Sequence, residues 1–153
     1  MDNNKLQDIA MKTAAQIATN RRSTVLTVAP DKLGDICKLI TMEMPEFYHL
    51  STITGVDTGK TIDVFYHFWK DREFLSVKTT VPKENPVLDS LSDFLASSLL
   101  YEAEVKDLLG ISFRGNPLMD RKVLLPDSYP TDAPPPLRKE ADPEKIRKMM
   151  ELE

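Results

Sequence analysis

Leu6, Ile9, Ala10, Thr13 and Ile17 recur at i, i+3, i+4, i+7 and i+11. That period predicts an amphipathic helix over about residues 4–19, with Asp2, Asn3 or Asn4 as its N-cap. The β-branched run RSTVLTV behind it predicts a first strand. Pro30 and Asp31 then open a second helix. Its apolar stripe is Leu33, Ile36, Cys37, Ile40 and Met44, and Pro45 ends it.

Three strand patterns follow: FYHLSTITGV, TIDVFYHFW and EFLSVKTTV. The second puts Ile62, Val64, Tyr66 and Phe68 on one face and Asp63, Phe65, His67 and Trp69 on the other. Leu75, Val77, Thr79 and Val81 alternate in the third. Asp57–Thr58–Gly59–Lys60 and Lys70–Asp71 supply short turns, so these strands are expected to pair antiparallel. VPKENP breaks the pattern at Pro82 and Pro86. A last long helix is expected over about residues 91–109, with Phe94, Tyr101, Val105 and Leu108 as its stripe and Gly110 at C′. The order is α-β-α-β-β-β-α, an α+β fold with helices packed on an antiparallel sheet.

The pattern changes at Asn116. Seven of the eleven prolines lie between Pro117 and Pro143, and no glycine follows Gly115. DAPPPLRKE reads as extended or polyproline II-like chain. Asp142–Pro143–Glu144 is a helix start, so EKIRKMMELE is expected as a short terminal helix. The chain thus divides into a globular part, residues 1–115, and an extended arm, residues 116–153.

Composition narrows the functions. The chain has 153 residues, 41% hydrophobic and 29% charged, with a net charge of -4. That balance argues against a general nucleic-acid footprint. No run of 18 apolar residues exists, so no membrane span is expected. MDNNKLQDIAMKTAAQ has no apolar signal core, so a cytosolic start is expected. Cys37 is the single cysteine, which excludes a self-contained cysteine-ligated zinc or iron–sulfur site, and it reads as a small buried hydrophobe.

Glu102, Glu104 and Asp107 are the acidic candidates. A carboxylate pair can do acid–base work where burial separates the two pKa values. Against this, Glu102 and Lys106 have the i, i+4 spacing of a solvated helix pair. His49 and His67 stand on different expected strands, and neither HExxH nor a nucleotide-cradling glycine loop is present. HFWKDR mixes aromatic and basic residues, but a hairpin strand and its turn account for it. Arg114, Arg121, Lys122, Arg138 and Lys139 alternate with Asp120, Asp127, Asp132 and Glu140 along the arm. That mixture favours directional pairing with a protein surface; a disordered linker is the alternative.

The stretch YEAEVKDLLGISFRGNPLMDRKVLLPDSYP, extended to PLRKE, resembles a family signature. It is similar to the thirty-kilodalton subunit family of respiratory NADH:quinone oxidoreductase (complex I), which includes the matching subunit of energy-converting [NiFe] hydrogenases. Tyr101, Glu102, Glu104, Asp107, Gly110, Ile111, Phe113, Gly115 and Pro117 take the core positions. Leu125, Pro126 and Asp127 match L-P-D, and Pro136, Leu137, Arg138 and Lys139 match P-L-R-K. Ala103 stands where the family usually has Arg, Asn116 where it has His, and LMDRK replaces an acidic-leucine-arginine-arginine pattern. These departures point to a divergent hydrogenase or ferredoxin-linked relative.

The resemblance implies a non-catalytic subunit without metal or cofactor of its own. It would lie peripherally on the cytoplasmic side of the membrane. Its partners would be the hydrogenase-like large subunit and a small iron–sulfur subunit, which hold the iron–sulfur clusters and any nickel–iron centre. The expected partner contacts are Glu102, Glu104, Asp107, Arg114, Asn116, Pro117, Leu118, Arg121, Leu125, Pro126, Leu137, Arg138 and Lys139. Ordering an arm of about forty residues costs tens of kcal/mol in backbone entropy, which a partner surface is expected to offset. Three alternatives stand beside this reading. One is a small acid–base enzyme using Glu102, Glu104 and Asp107. The others are a binding module with a free tail and a subunit of a quinone-reducing complex.

Overall fold

The computed structural model describes residues 2–21 and 23–150. Helix α1, Asn3–Thr13, begins where the Asp2 carboxylate accepts the Asn4 and Lys5 amides. It stops earlier than its periodicity predicts. Ala14 turns left-handed at φ 54°, and its amide closes onto the Ala10 and Met11 carbonyls. Ile17 therefore lies not on the helix but on strand β1, Gln16–Asn20. There Ile17 and Thr19 pair with Leu26 and Thr24 of β2, Ser23–Thr27. The tertiary pairing of two β-branched residues overrides an apolar spacing that fits a helix. The expected first strand is thus the second, and its leading Arg22 lies outside the described residues.

A 3-10 turn at Pro30–Lys32 leads into α2, Leu33–Glu43, and Pro45–Phe47 forms another after it. Phe47, expected in a strand, belongs to that second turn; β3 runs only from Leu50 to Asp57. Strands β4, Thr61–Lys70, and β5, Glu73–Pro82, follow as antiparallel neighbours. The rest is β6, Val87–Asp89, α3, Ser98–Leu109, β7, Ser112–Arg114, and α4, Pro143–Met149. Sequence periodicity misses β1, β6 and β7: β1 is taken up by the helical spacing of Ile17, and a three-residue strand has no measurable alternation.

The main sheet has the order β1-β2-β5-β4-β3. It is antiparallel except where β2 runs parallel to β5. One face packs on the helices. Ile62, Val64, Tyr66 and Phe68 of β4 and Leu75, Val77 and Val81 of β5 join Ile9, Ile36, Cys37 and Ile40 in one core. Cys37 is fully buried, and burial pushes its thiol pKa far up, as suits a small hydrophobe rather than a nucleophile.

The other face carries the alternate residues. His67 sits between the Thr54 and Ser76 hydroxyls at 2.8 Å each, and burial lowers its pKa. Lys78 pairs with Asp63 at 2.7 Å. Trp69 and Phe74 stack across the β4–β5 hairpin. HFWKDR is thus a strand and its turn, with Asp71 left-handed at the tip.

Helix α3 crosses the sheet at β3, where Gly55 leaves room for Leu109; a Cβ at Gly55 would collide with Leu109 Cδ1. Gly55→Val is expected to cost about 1–3 kcal/mol through overpacking. The expected outcome is a lower thermal midpoint for the variant; an unchanged midpoint would mean that α3 can ride further from the sheet.

Candidate functional site

Helix α3 starts at Ser98, later than expected. Residues 91–97 turn instead, with the Leu95 amide on the Leu91 carbonyl at 2.8 Å and the Ser98 amide on Leu95 at 2.8 Å. Glu102 explains the difference. Its side chain is directed inward, and its carboxylate accepts the Leu91 amide at 2.8 Å and the Ser90 hydroxyl at 2.6 Å. Those bonds tie Ser90 and Leu91, at the start of that turning segment, to α3. Phe94 therefore leaves the expected stripe and lies under the Lys38 ammonium, 5.1 Å from its ring centre. The side of α3 that is buried carries Ser98, Glu102, Val105 and Leu109.

Glu102 is 0% exposed. The expected solvated pair with Lys106 is therefore absent. Asn116 completes the shell, donating its side-chain amide to Glu102 at 2.8 Å and to the Leu99 carbonyl at 2.9 Å. A neutral amide thus supplies the donor at the position where the family pattern has histidine. Nearby, burial and then the Glu102 charge hold the Tyr66 phenol well above its usual pKa.

Further along α3, Asp107 repeats the device on the arm. One carboxylate oxygen accepts the Val123, Leu124 and Leu125 amides at 2.7, 2.8 and 3.3 Å. The other accepts the Lys106 ammonium, which also reaches the Arg121 carbonyl. Burial opposes ionisation of Asp107, but the Leu124 amide, Lys106 and the other two amides outweigh it and lower its pKa.

The end of α3 holds the far part of the arm. Gly110 is left-handed at φ 69°, and the arm packs so closely on it that a Cβ there would meet Pro135 and Arg138. Leu137 donates its amide to the Leu108 carbonyl at 2.9 Å. Arg138 donates Nε to the Leu109 carbonyl at 2.7 Å and a terminal nitrogen to the Lys83 carbonyl at 3.1 Å. Next to it, Asp57 accepts the Lys139 amide at 2.9 Å and the Lys83 ammonium at 2.6 Å, and Lys83 also pairs with Glu140. Burial works against the charge on Asp57, but the Lys139 amide, Lys83 and the Gly59 amide together depress its pKa strongly.

The expected contact residues therefore separate into two groups. Glu102, Asp107, Asn116 and Arg138 spend their polar atoms inside the chain. Arg114 is exposed and paired with Asp89 at 2.8 Å. Pro117, Arg121, Pro126, Leu137 and Lys139 are exposed or half-buried, as are Glu104, Leu118 and Leu125. Val123, Leu124 and Leu137, at 39%, 50% and 55% exposure, are the large apolar side chains the arm turns to solvent before α4. Sequence reasoning misses Lys83, and it reads Asp57 only as a turn residue and Glu140 only as one of the arm's charges: Asp57 meets Lys139 across 82 positions. Among the described residues no group of three His, Cys, Asp or Glu side chains can hold a metal ion.

Glu102→Ala orphans a buried amide and is expected to cost about 1–3 kcal/mol, read from chemical denaturation. The acid limb has a defined sign. The folded pKa values of Asp57 and Asp107 lie below the ordinary 3.8, so their stabilisation is complete above that value and lost as pH falls beneath it. Thermal midpoints are expected to fall below about pH 4, and Asp107→Asn to flatten that fall. An acid limb identical in wild type and variant would remove Asp107 from the account.

The family model described as respiratory-chain NADH dehydrogenase, 30 Kd subunit, matches residues 26–147. A subunit of the NADH-quinone oxidoreductase of Roseiflexus castenholzii is 30% identical over 119 residues, covering 74% of this chain and 66% of that protein. This chain thus spans just under two thirds of that relative's length. Membrane-bound hydrogenase subunit beta of Pyrococcus furiosus is 28% identical over 135 residues, covering 83% of this chain and 77% of the relative. Among solved structures, a chain of the membrane-bound sulfane sulfur reductase, an archaeal respiratory membrane complex, superposes with TM-score 0.81 at 25% identity. That match covers 98% of this chain and 91% of the other. The trypsin-resistant fragment of Nqo5 shares the fold, with TM-score 0.62 over 76% of this chain and 98% of the fragment, at 24% identity. The family match takes in α3, both of its carboxylate shells and the arm as far as α4, and the chain belongs to the respiratory-chain NADH dehydrogenase 30 Kd subunit family.

Proposed function

We propose that this chain is a non-catalytic assembly subunit in the hydrophilic part of a complex-I-like membrane redox complex. It docks on a hydrogenase-like large subunit, next to a small iron–sulfur subunit. The redox centres, iron–sulfur clusters and any nickel–iron centre, belong to those partners. The chain sits peripherally on the cytoplasmic side. The observation that carries this reading is the likeness over 98% of the chain, arm included, to a chain of an archaeal respiratory membrane complex. The relative named membrane-bound hydrogenase subunit beta supports the hydrogenase or ferredoxin-linked branch. A quinone-reducing complex is the second reading, favoured by the relatives named as NADH-quinone oxidoreductase subunits.

The acid–base alternative finds no support in the geometry. Glu102 and Asp107 are each saturated by donors from their own chain, so neither is free to move a proton at a substrate. The exposed apolar side chains Val123, Leu124 and Leu137 are the part of the arm suited to a permanent protein interface. The proposed partner contacts are these three with Pro117, Arg121, Pro126 and Lys139 of the same arm.

The test is affinity copurification from native membranes, with mass spectrometry of what comes with the chain. A hydrogenase-like large subunit is expected, and its companions separate a hydrogenase-type from a quinone-reducing complex. Leu124→Asp with Leu137→Asp is expected to leave the isolated chain's melting unchanged and to weaken copurification about tenfold or more, as for apolar interface anchors. Retention of the large subunit by the double variant at low concentration would rule these side chains out as anchors.

A further inference from the structure

We propose that α3 is a preformed receptor for the chain's own C-terminal segment, a clasp that closes with no partner present. A helix leaves its last carbonyl oxygens unpaired. Here α3 adds two inward carboxylates to them. The arm, expected to be extended, instead runs as a series of turns, and its amides outside those turns have no strand or helix partner. The two sets meet at three places. Asn116 is held on Glu102 and Leu99. Three consecutive amides, of Val123, Leu124 and Leu125, are held on Asp107. The Leu137 amide and the Arg138 guanidinium are held on the Leu108 and Leu109 carbonyls.

The segment between the second and third places is closed by its own bonds. The Tyr129 hydroxyl donates to the Pro134 carbonyl at 2.6 Å. The Lys122 ammonium reaches the carbonyls of Pro126, Asp127 and Tyr129. The path from Asn116 to Arg138 is thus pinned by bonds within the chain, with no second protein needed to make them. The prolines reduce what the free segment loses on closing. A loop of about a dozen residues between fixed ends adds little further entropy cost.

This changes the role of Arg138. With a side chain only 12% exposed, it has no free fork for a partner. It is a positioning residue that sets where its neighbour Leu137 stands. The signature carboxylates and Arg138 act on assembly through the shape of the arm, and a partner meets a surface already ordered. Only this last consequence rests on the assembly reading; the clasp itself concerns the isolated chain.

The experiment is amide hydrogen exchange by mass spectrometry on the full-length, monomeric chain at neutral pH. The amides of Val123, Leu124, Leu125 and Leu137 are expected to exchange at least about 100-fold more slowly than unstructured peptide. Asp107→Asn is expected to speed residues 123–125 about tenfold or more while β4 and β5 keep their protection. Arg138→Gln does the same at residues 137–139, and Arg138→Lys, which keeps the charge and one donor, recovers part of it. Exchange of wild-type residues 116–140 at unstructured rates overturns the clasp, even if copurification succeeds. Joint loss of sheet and arm protection in both variants also overturns it, since the clasp would then not be separable from the core. A protected arm in a chain that copurifies with nothing would keep the clasp and reject the assembly role.

Discussion

A buried carboxylate must find donors, and α3 carries two. Glu102 and Asp107 are 0% and 4% exposed, so neither obtains its hydrogen bonds chiefly from water. Their donors lie before and after the helix, at Ser90, Leu91 and Asn116 for Glu102 and at Val123 to Leu125 for Asp107. Satisfying them sets the path of the chain on both sides. The segment before α3 turns instead of continuing the helix, and the segment after it lies along the helix instead of leaving the domain.

The same saturation bears on chemistry. A carboxylate that accepts three donors in its native position is stabilised in place and lacks an open oxygen for a substrate proton. In the acidic cluster that reads as a candidate acid–base pair, Glu102 and Asp107 are held by donors of their own chain. Ionisable groups on the open sheet face are similarly committed: His67 lies between two hydroxyls, and Asp63 holds Lys78 and Thr80. On the arm the exposed large apolar side chains before α4 are Val123, Leu124 and Leu137.

The arm shows why an entropic argument from sequence alone points to a partner. Counted residue by residue, its sparse apolar side chains cannot offset the ordering of the backbone. The count omits acceptors supplied by distant residues of the same chain. Lys83, Asp57 and the carbonyls of Leu108 and Leu109 are invisible to a local reading because their partners lie tens of positions away.

Strong local periods determined much of the molecule. The alternation in β4 and β5, the stripe of α2 and the turn at Gly59 all stand where the pattern places them, because each burial face is written within one short window. The signature at Tyr101 to Lys139 likewise marked residues that hold the arm, though not what they touch. Tertiary structure alone decided that α1 yields to a strand at Gln16, that β2 runs parallel to β5, and that β6 meets β7. It alone turned Glu102 and Asp107 inward. Those outcomes depend on pairings between segments far apart in the chain, where a hydrogen-bond partner or a neighbouring strand outweighs the local preference that the sequence displays.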